Sequence, residues 1–112
     1  MADNFRSSRE VIIRTNAWEE ASRFYESVLG LPVTYRSKNM LGFETGAFCL
    51  YVERGTGHGP VFEFLVPDVH AAKARLTAAG CTVEEENASV PRCYIRDPYG
   101  VVFNITPGGP VK

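Results

Sequence analysis

The sequence repeats itself, and that repeat constrains the fold more than any other feature. Leu29-Gly30-Leu31-Pro32-Val33 returns fifty residues later as Ala79-Gly80-Cys81-Thr82-Val83. In both places an aliphatic residue precedes a glycine, and a valine opens the next segment. A repeat on this scale means two copies of one supersecondary unit. Read locally, each copy is a strand, a helix and then two or three strands. A single helix covers only one face of a small sheet. The other face needs cover, so the halves, or two chains, are expected to pair.

The local signals fill in this plan. Val11-Ile12-Ile13 opens a strand, and Asn16 with Glu19 three residues on suggests a capping box. Trp18, Ala21, Tyr25, Val28 and Leu29 recur at helical spacing, with Phe24 widening the stripe. Gly30 ends that helix and Pro32 prevents its continuation. Strands are expected at Val33–Arg36, Met40–Thr45 and Phe48–Glu53. Arg54–Pro60 holds three glycines and a proline, which makes it a linker. After it come a strand over Val61–Val66 and a helix over Val69–Ala79, capped by Asp68 and ended by Gly80. Strands at Cys81–Glu85, Arg92–Arg96 and Val101–Thr106 complete the copy. The chain of 112 residues is thus expected to be a single domain: a first βαβββ module over 10–53, a linker over 54–60 and a second module over 61–106. The tail from Pro107 is expected to fray.

Charge and cysteine content narrow the partners. A net charge of −1 gives no basic field for nucleic acid. Met1–Glu10 has no apolar signal-peptide stretch, and no apolar run nears the roughly 20 residues that span a bilayer. Cys49, Cys81 and Cys93 contain no CxxC and do not read as a disulfide framework; a reduced, cytoplasmic setting is expected. They read best as small buried residues. No nucleophile–base pair, phosphate loop or redox motif is apparent.

Two motifs then carry a resemblance. Arg23-Phe24-Tyr25 is followed by Val28-Leu29-Gly30-Leu31, and Ile95-Arg96-Asp97-Pro98-Tyr99-Gly100-Val101-Val102-Phe103 lies near the end. In that order on a repeated βαβββ plan, the chain resembles the vicinal-oxygen-chelate superfamily. That group includes glyoxalases, extradiol dioxygenases, epimerases and bleomycin-resistance proteins. The resemblance implies an α+β fold in which two βαβββ modules form curved mixed sheets around a cleft, commonly in a homodimer.

It also implies where a metal would sit. Family enzymes hold a divalent ion with four side chains, typically His, Gln or Glu, on four strands. By spacing from the motifs these positions fall on Glu10, Leu50, Val61 and Asn104. Leu50 and Val61 have no donor atoms, and an amide is a weak ligand for a transition metal. A shift of one residue substitutes Cys49 or Tyr51 for Leu50, and Pro60 or Phe62 for Val61. His58, in the linker, and His70, at the helix start, read as exposed surface residues. No metal or other cofactor is therefore expected, which argues against metal-dependent glyoxalase, dioxygenase and epimerase chemistry.

Strand alternation, counted from those positions, gives the expected cleft lining. Glu10, Ile12 and Arg14 face inward, as do Phe48, Leu50 and Val52. Val61, Glu63 and Leu65 follow, then Val102, Asn104 and Thr106. Arg14 and Glu63 are expected to face each other, as an ion pair or as a ligand anchor. Tyr35, Phe43 and Tyr94 offer stacking surface at the rim or simple packing. Glu84-Glu85-Glu86 reads as a solvated acidic edge. The expected function is binding of a small organic molecule, such as an antibiotic or other toxic compound, in a metal-free cleft of a cytoplasmic homodimer. The rival readings are a metal-dependent lyase or dioxygenase with displaced ligands, a metal-free enzyme using Glu10 or Glu63 as base, and a structural dimer.

Overall fold

The computed structural model describes residues 5–57, 59–90 and 92–108. His58 and residues 109–112 of the tail lie outside the described residues. Among those described, the chain forms eight strands and two helices, an α+β arrangement. By its contacts it divides into two compact units. One is Arg9–Val61, and the other joins the residues before Arg9 to those from Phe62 onward.

In the first unit, β1 (Arg6–Thr15, of which Arg9–Thr15 falls here) leads into α1 (Trp18–Arg23). The expected Asn16 cap is not used. Thr15 Oγ1 accepts the Ala17 N–H at 3.0 Å, and the helix starts from Ala17 with no side-chain cap. α1 widens into π-helical turns over Phe24–Val28, where the Leu29 N–H reaches back to the Phe24 carbonyl. Gly30 then turns the chain at φ +68°, a conformation that costs other residues far more. β2 (Val33–Arg36), β3 (Met40–Glu44) and β4 (Cys49–Arg54) follow. The order across this sheet is β2-β3-β4-β1, with β1 parallel to β4 and the other pairs antiparallel. Leu41, Phe43, Leu50 and Val52 form its buried center, packed by Val11 and Ile13 of β1 and by Trp18, Ala21 and Tyr25 of the helix. The Trp18 indole N–H donates to the Val52 carbonyl at 2.7 Å, which pins the helix to the sheet.

The second unit repeats the scheme with β5 (Val61–Val66, all but Val61 falling here), α2 (Val69–Ala78), β6 (Thr82–Asn87), β7 (Arg92–Arg96) and β8 (Val102–Pro107). Its order is β5-β8-β7-β6, with β5 parallel to β8. Asp68 caps α2 as expected, accepting the Ala71 N–H at 3.1 Å. Asp97 Oδ1 accepts the N–H groups of both Tyr99 and Val101 at 2.9 Å, and Gly100 sits at φ +97°. The Asp-Pro-Tyr-Gly motif is therefore a hairpin turn whose chemistry is local. Val66, Ala72, Cys81, Cys93, Ile95, Phe103 and Ile105 are buried under α2, with Phe5, Phe64, Val69 and Leu76 at the margin. The three cysteines are free, and Cys81 and Cys93 are buried. No described helix is long and apolar enough to cross a membrane.

Candidate functional site

Each sheet has one face against its helix, so chemistry facing a ligand must come from the other face. In the first unit Val11 and Ile13 pack with α1. Alternation turns Glu10, Ile12 and Arg14 to the opposite face. The parallel register then decides β4. Glu10 aligns with Cys49, Ile12 with Tyr51 and Arg14 with Glu53, whereas Val11 aligns with Leu50 and Ile13 with Val52. Aligned residues of neighbouring strands share a face. Cys49, Tyr51 and Glu53 thus join Glu10 and Arg14. Phe48, Leu50 and Val52, expected in the cleft, belong instead to the cluster packed by α1. Phe43, for which the sequence left rim stacking or simple packing open, lies in the same cluster with no exposed surface, so packing is its role. The physical reason is burial. Placing Leu50 and Val52 under the helix leaves Tyr51 and Glu53 on the face where polar atoms find partners.

Tyr51 organises this face. Its hydroxyl donates to Glu10 Oε2 at 3.4 Å. Its ring meets that of half-exposed Tyr35 edge-on, with centroids 6.2 Å apart and planes at 67°. Gly42 makes room for it: a Cβ there would lie 2.7 Å from Tyr51 Cε1 and 3.0 Å from Tyr35 Cβ. Gly42→Ala should therefore lose about 1–3 kcal/mol and displace the Tyr51 ring. Urea unfolding gives the first effect, and loss of the ring-current shifts around Tyr35 gives the second. Arg14 Nε pairs with Glu53 Oε1 at 3.3 Å. At the edge, Arg9 pairs with Glu44 at 2.7 Å and also reaches Cys49 Sγ at 3.6 Å. The Arg9 hydrogen bond, followed by the Gly46 N–H, holds the Glu44 carboxyl below its usual range.

In the second unit Phe64 and Val66 pack toward α2, as do Phe103 and Ile105. The opposite face then carries Val61, Glu63 and Leu65 with Val102, Asn104 and Thr106. Val61 and Asn104 are buried. Asn104 is bonded at both ends. Its Oδ1 accepts the Cys93 N–H at 2.8 Å, and its Nδ2 donates to Glu63 Oε2 at 3.2 Å. Thr106 Oγ1 donates to the same Glu63 oxygen at 3.4 Å. Tyr94, aligned with Asn104, is buried, and the Arg92 guanidinium lies 5.1 Å above its ring. The three glutamates of β6 are not merely solvated: Glu84 pairs with Arg96 at 2.9 Å, Glu85 with Arg92 at 3.2 Å and Glu86 with Lys73 at 2.7 Å. His70 is exposed, as expected.

With Cys49, Tyr51 and Glu53 in place of Leu50, this face offers more donor atoms for a metal than the sequence suggested. Among the described residues no three His, Cys, Asp or Glu side chains are grouped to hold an ion. Glu53 lies against the Arg14 guanidinium, and Cys49 lies between Arg9 and Glu44. A fixed cation beside a donor raises the energy of a second cation there. These residues do not fit the divalent ion of the superfamily's enzymes.

Comparison with known proteins agrees with this architecture. An extradiol ring-cleaving dioxygenase from B. fuscum superposes with a TM-score of 0.68 at 20% identity, over 99% of this chain and 35% of that one. Homoprotocatechuate 2,3-dioxygenase from Brevibacterium fuscum, in complex with 3,4-dihydroxyphenylacetate, gives 0.66 at 21% identity, over 99% and 39%. The chain thus spans little more than a third of these dioxygenases. A glyoxalase/bleomycin resistance protein/dioxygenase superfamily member from Vibrio splendidus 12B01 gives 0.66 at 17% identity, over 94% of this chain and 100% of that one. No curated relative matches the sequence. These similarities concern the fold. A family model described as a glyoxalase-like domain matches residues 10–106, and the chain belongs to that family.

Proposed function

We propose that the protein binds a small organic molecule without a metal, using the sheet faces turned away from its helices, and that it does so as a homodimer. One observation carries this reading. Each repeat holds a carboxylate bonded to neutral donors on the face away from its helix: Glu10 to the Tyr51 hydroxyl, whose ring meets Tyr35, and Glu63 to Asn104 and Thr106. A few placed polar groups amid apolar and aromatic surface is the usual make-up of a small-molecule site. The superfamily includes proteins that sequester antibiotics, which makes an antibiotic or another toxic compound the first class to try.

A thermal-shift screen over antibiotics and aromatic acids tests the proposal. A ligand at 100 times its Kd should add about 2.7 kcal/mol to the folded state. Tyr51→Phe and Glu63→Gln should each weaken it, by about 1 kcal/mol for the lost hydrogen bond. A screen without a single stabilising compound would sink the reading. So would elemental analysis finding stoichiometric Zn²⁺, Ni²⁺, Mn²⁺ or Fe²⁺ after add-back. Light scattering at micromolar concentration checks the dimer.

A further inference from the structure

We infer that the second unit carries a separate binding site for a small, uncharged apolar molecule, on the helix side of its sheet and away from Glu63. A recess of about 250 Å³ opens there between the start of α2 and the adjoining ends of β6, β7 and β8. Val69, Ala88, Cys93, Ile105 and Pro107 supply its apolar walls, and Glu86, Asn87 and Arg92 also line it. Val69, Cys93 and Ile105 belong to the cluster under α2, so this is a gap at the border of the packed interior and not part of the Glu63 face.

Size and charge define the occupant. An apolar cavity on the order of 150 Å³ accepts benzene, so this recess has room for one substituted ring or a short branched chain. Both lining charges already have partners: Glu86 binds Lys73 at 2.7 Å, and Arg92 binds Glu85 at 3.2 Å while lying over Tyr94. A charged ligand would be desolvated against apolar walls and gain no counter-ion. Burial, and after it the Glu86 carboxylate, push the Cys93 thiol up, so the wall presents neutral S–H and not thiolate. A neutral ring is the chemistry that fits. Sulfur and methyl groups are good neighbours for an aromatic edge.

Toluene is a suitable probe, with benzoate and benzylamine as charged analogues of similar size. The full chain is titrated with each, and the Val69 and Ile105 methyl signals are followed by ¹H–¹³C NMR. Toluene should give saturable shifts at both residues, and the charged analogues should bind at least about tenfold more weakly. Ala88→Trp, at an exposed turn position, should close the recess and weaken toluene at least about tenfold. Cys93→Leu fills it from within and serves if Ala88→Trp disturbs the turn. Tyr51→Phe and Glu63→Gln should leave toluene affinity unchanged, which separates this site from the one proposed above. Absence of saturable shifts, equal binding of benzoate or benzylamine, or unchanged toluene affinity in both recess-filling variants would overturn the inference.

Discussion

Asn104→Asp should destabilise the protein by about 3–5 kcal/mol at neutral pH and recover most of that loss in mild acid. Asn104 is only 4% exposed, and its Nδ2 donates to Glu63 Oε2 at 3.2 Å. The substitution puts an anionic oxygen where that donor stood. Two carboxylates so close and so shielded cannot both ionise, so the pair must hold a proton that the unfolded chain would release. The sign follows. A carboxyl whose folded pKa lies above its unfolded value is destabilising at high pH, and the penalty disappears once pH falls below the unfolded pKa. The Cys93 N–H still finds an acceptor at Oδ1, so the backbone is not the source of the loss. Denaturant unfolding of both proteins at pH 7.5 and pH 4.5 makes the comparison. Equal losses at the two values would mean that Asn104 does not face Glu63.

Phe43→Ala should remove about 3–5 kcal/mol, the usual range for emptying a fully buried aromatic position. Phe43 has no exposed surface, and its ring lies 6.0 Å from that of Tyr25 in the helix. Phe24→Ala is the control. Phe24 sits on the same helix but is 46% exposed, so its loss should be much smaller. Urea midpoints at constant m-value give both numbers. A loss below about 1 kcal/mol for Phe43→Ala would put that ring at a solvent-facing rim and not in the packed interior.

Those two residues show what could be read from the sequence and what could not. Features set by local chemistry were legible. Asp68 caps a helix and Asp97 closes a turn through atoms within a few residues, while Gly30 and Gly80 occupy the positive φ that ends each helix. The β8 face and most of the β5 face were legible too, because Phe64, Val66, Phe103 and Ile105 alternate with Glu63, Asn104 and Thr106; Phe62, which the same alternation sends to the core, is 46% exposed. On β4 the expected faces were inverted. Counting from a distant motif carried the position across the turn at Thr45–Phe48, where one residue more or less reverses every side chain. The correcting signal lay in β4 itself, where Leu50 and Val52 alternate with Tyr51 and Glu53. Gly42 could not be recognised beforehand. Its importance comes from Tyr51 and Tyr35, which reach it only once β3 lies between β2 and β4. The ion pairs of Arg14 with Glu53 and of the β6 glutamates likewise depend on register, and composition does not encode it.

β1 is longer than its apolar stretch, and its first residues fall with the second unit while the rest fall with the first. Phe5 just ahead of it meets Phe64 edge-on at 6.3 Å and packs on the cluster under α2. The sequence duplication therefore does not mark a clean seam for cutting. A fragment beginning at residue 62 would inherit α2 and four strands yet lack an aromatic plug from the far end of the chain. A half-length ancestor with the second repeat's interior would have needed that peptide from elsewhere, by fusion at its own tail or on loan from another copy.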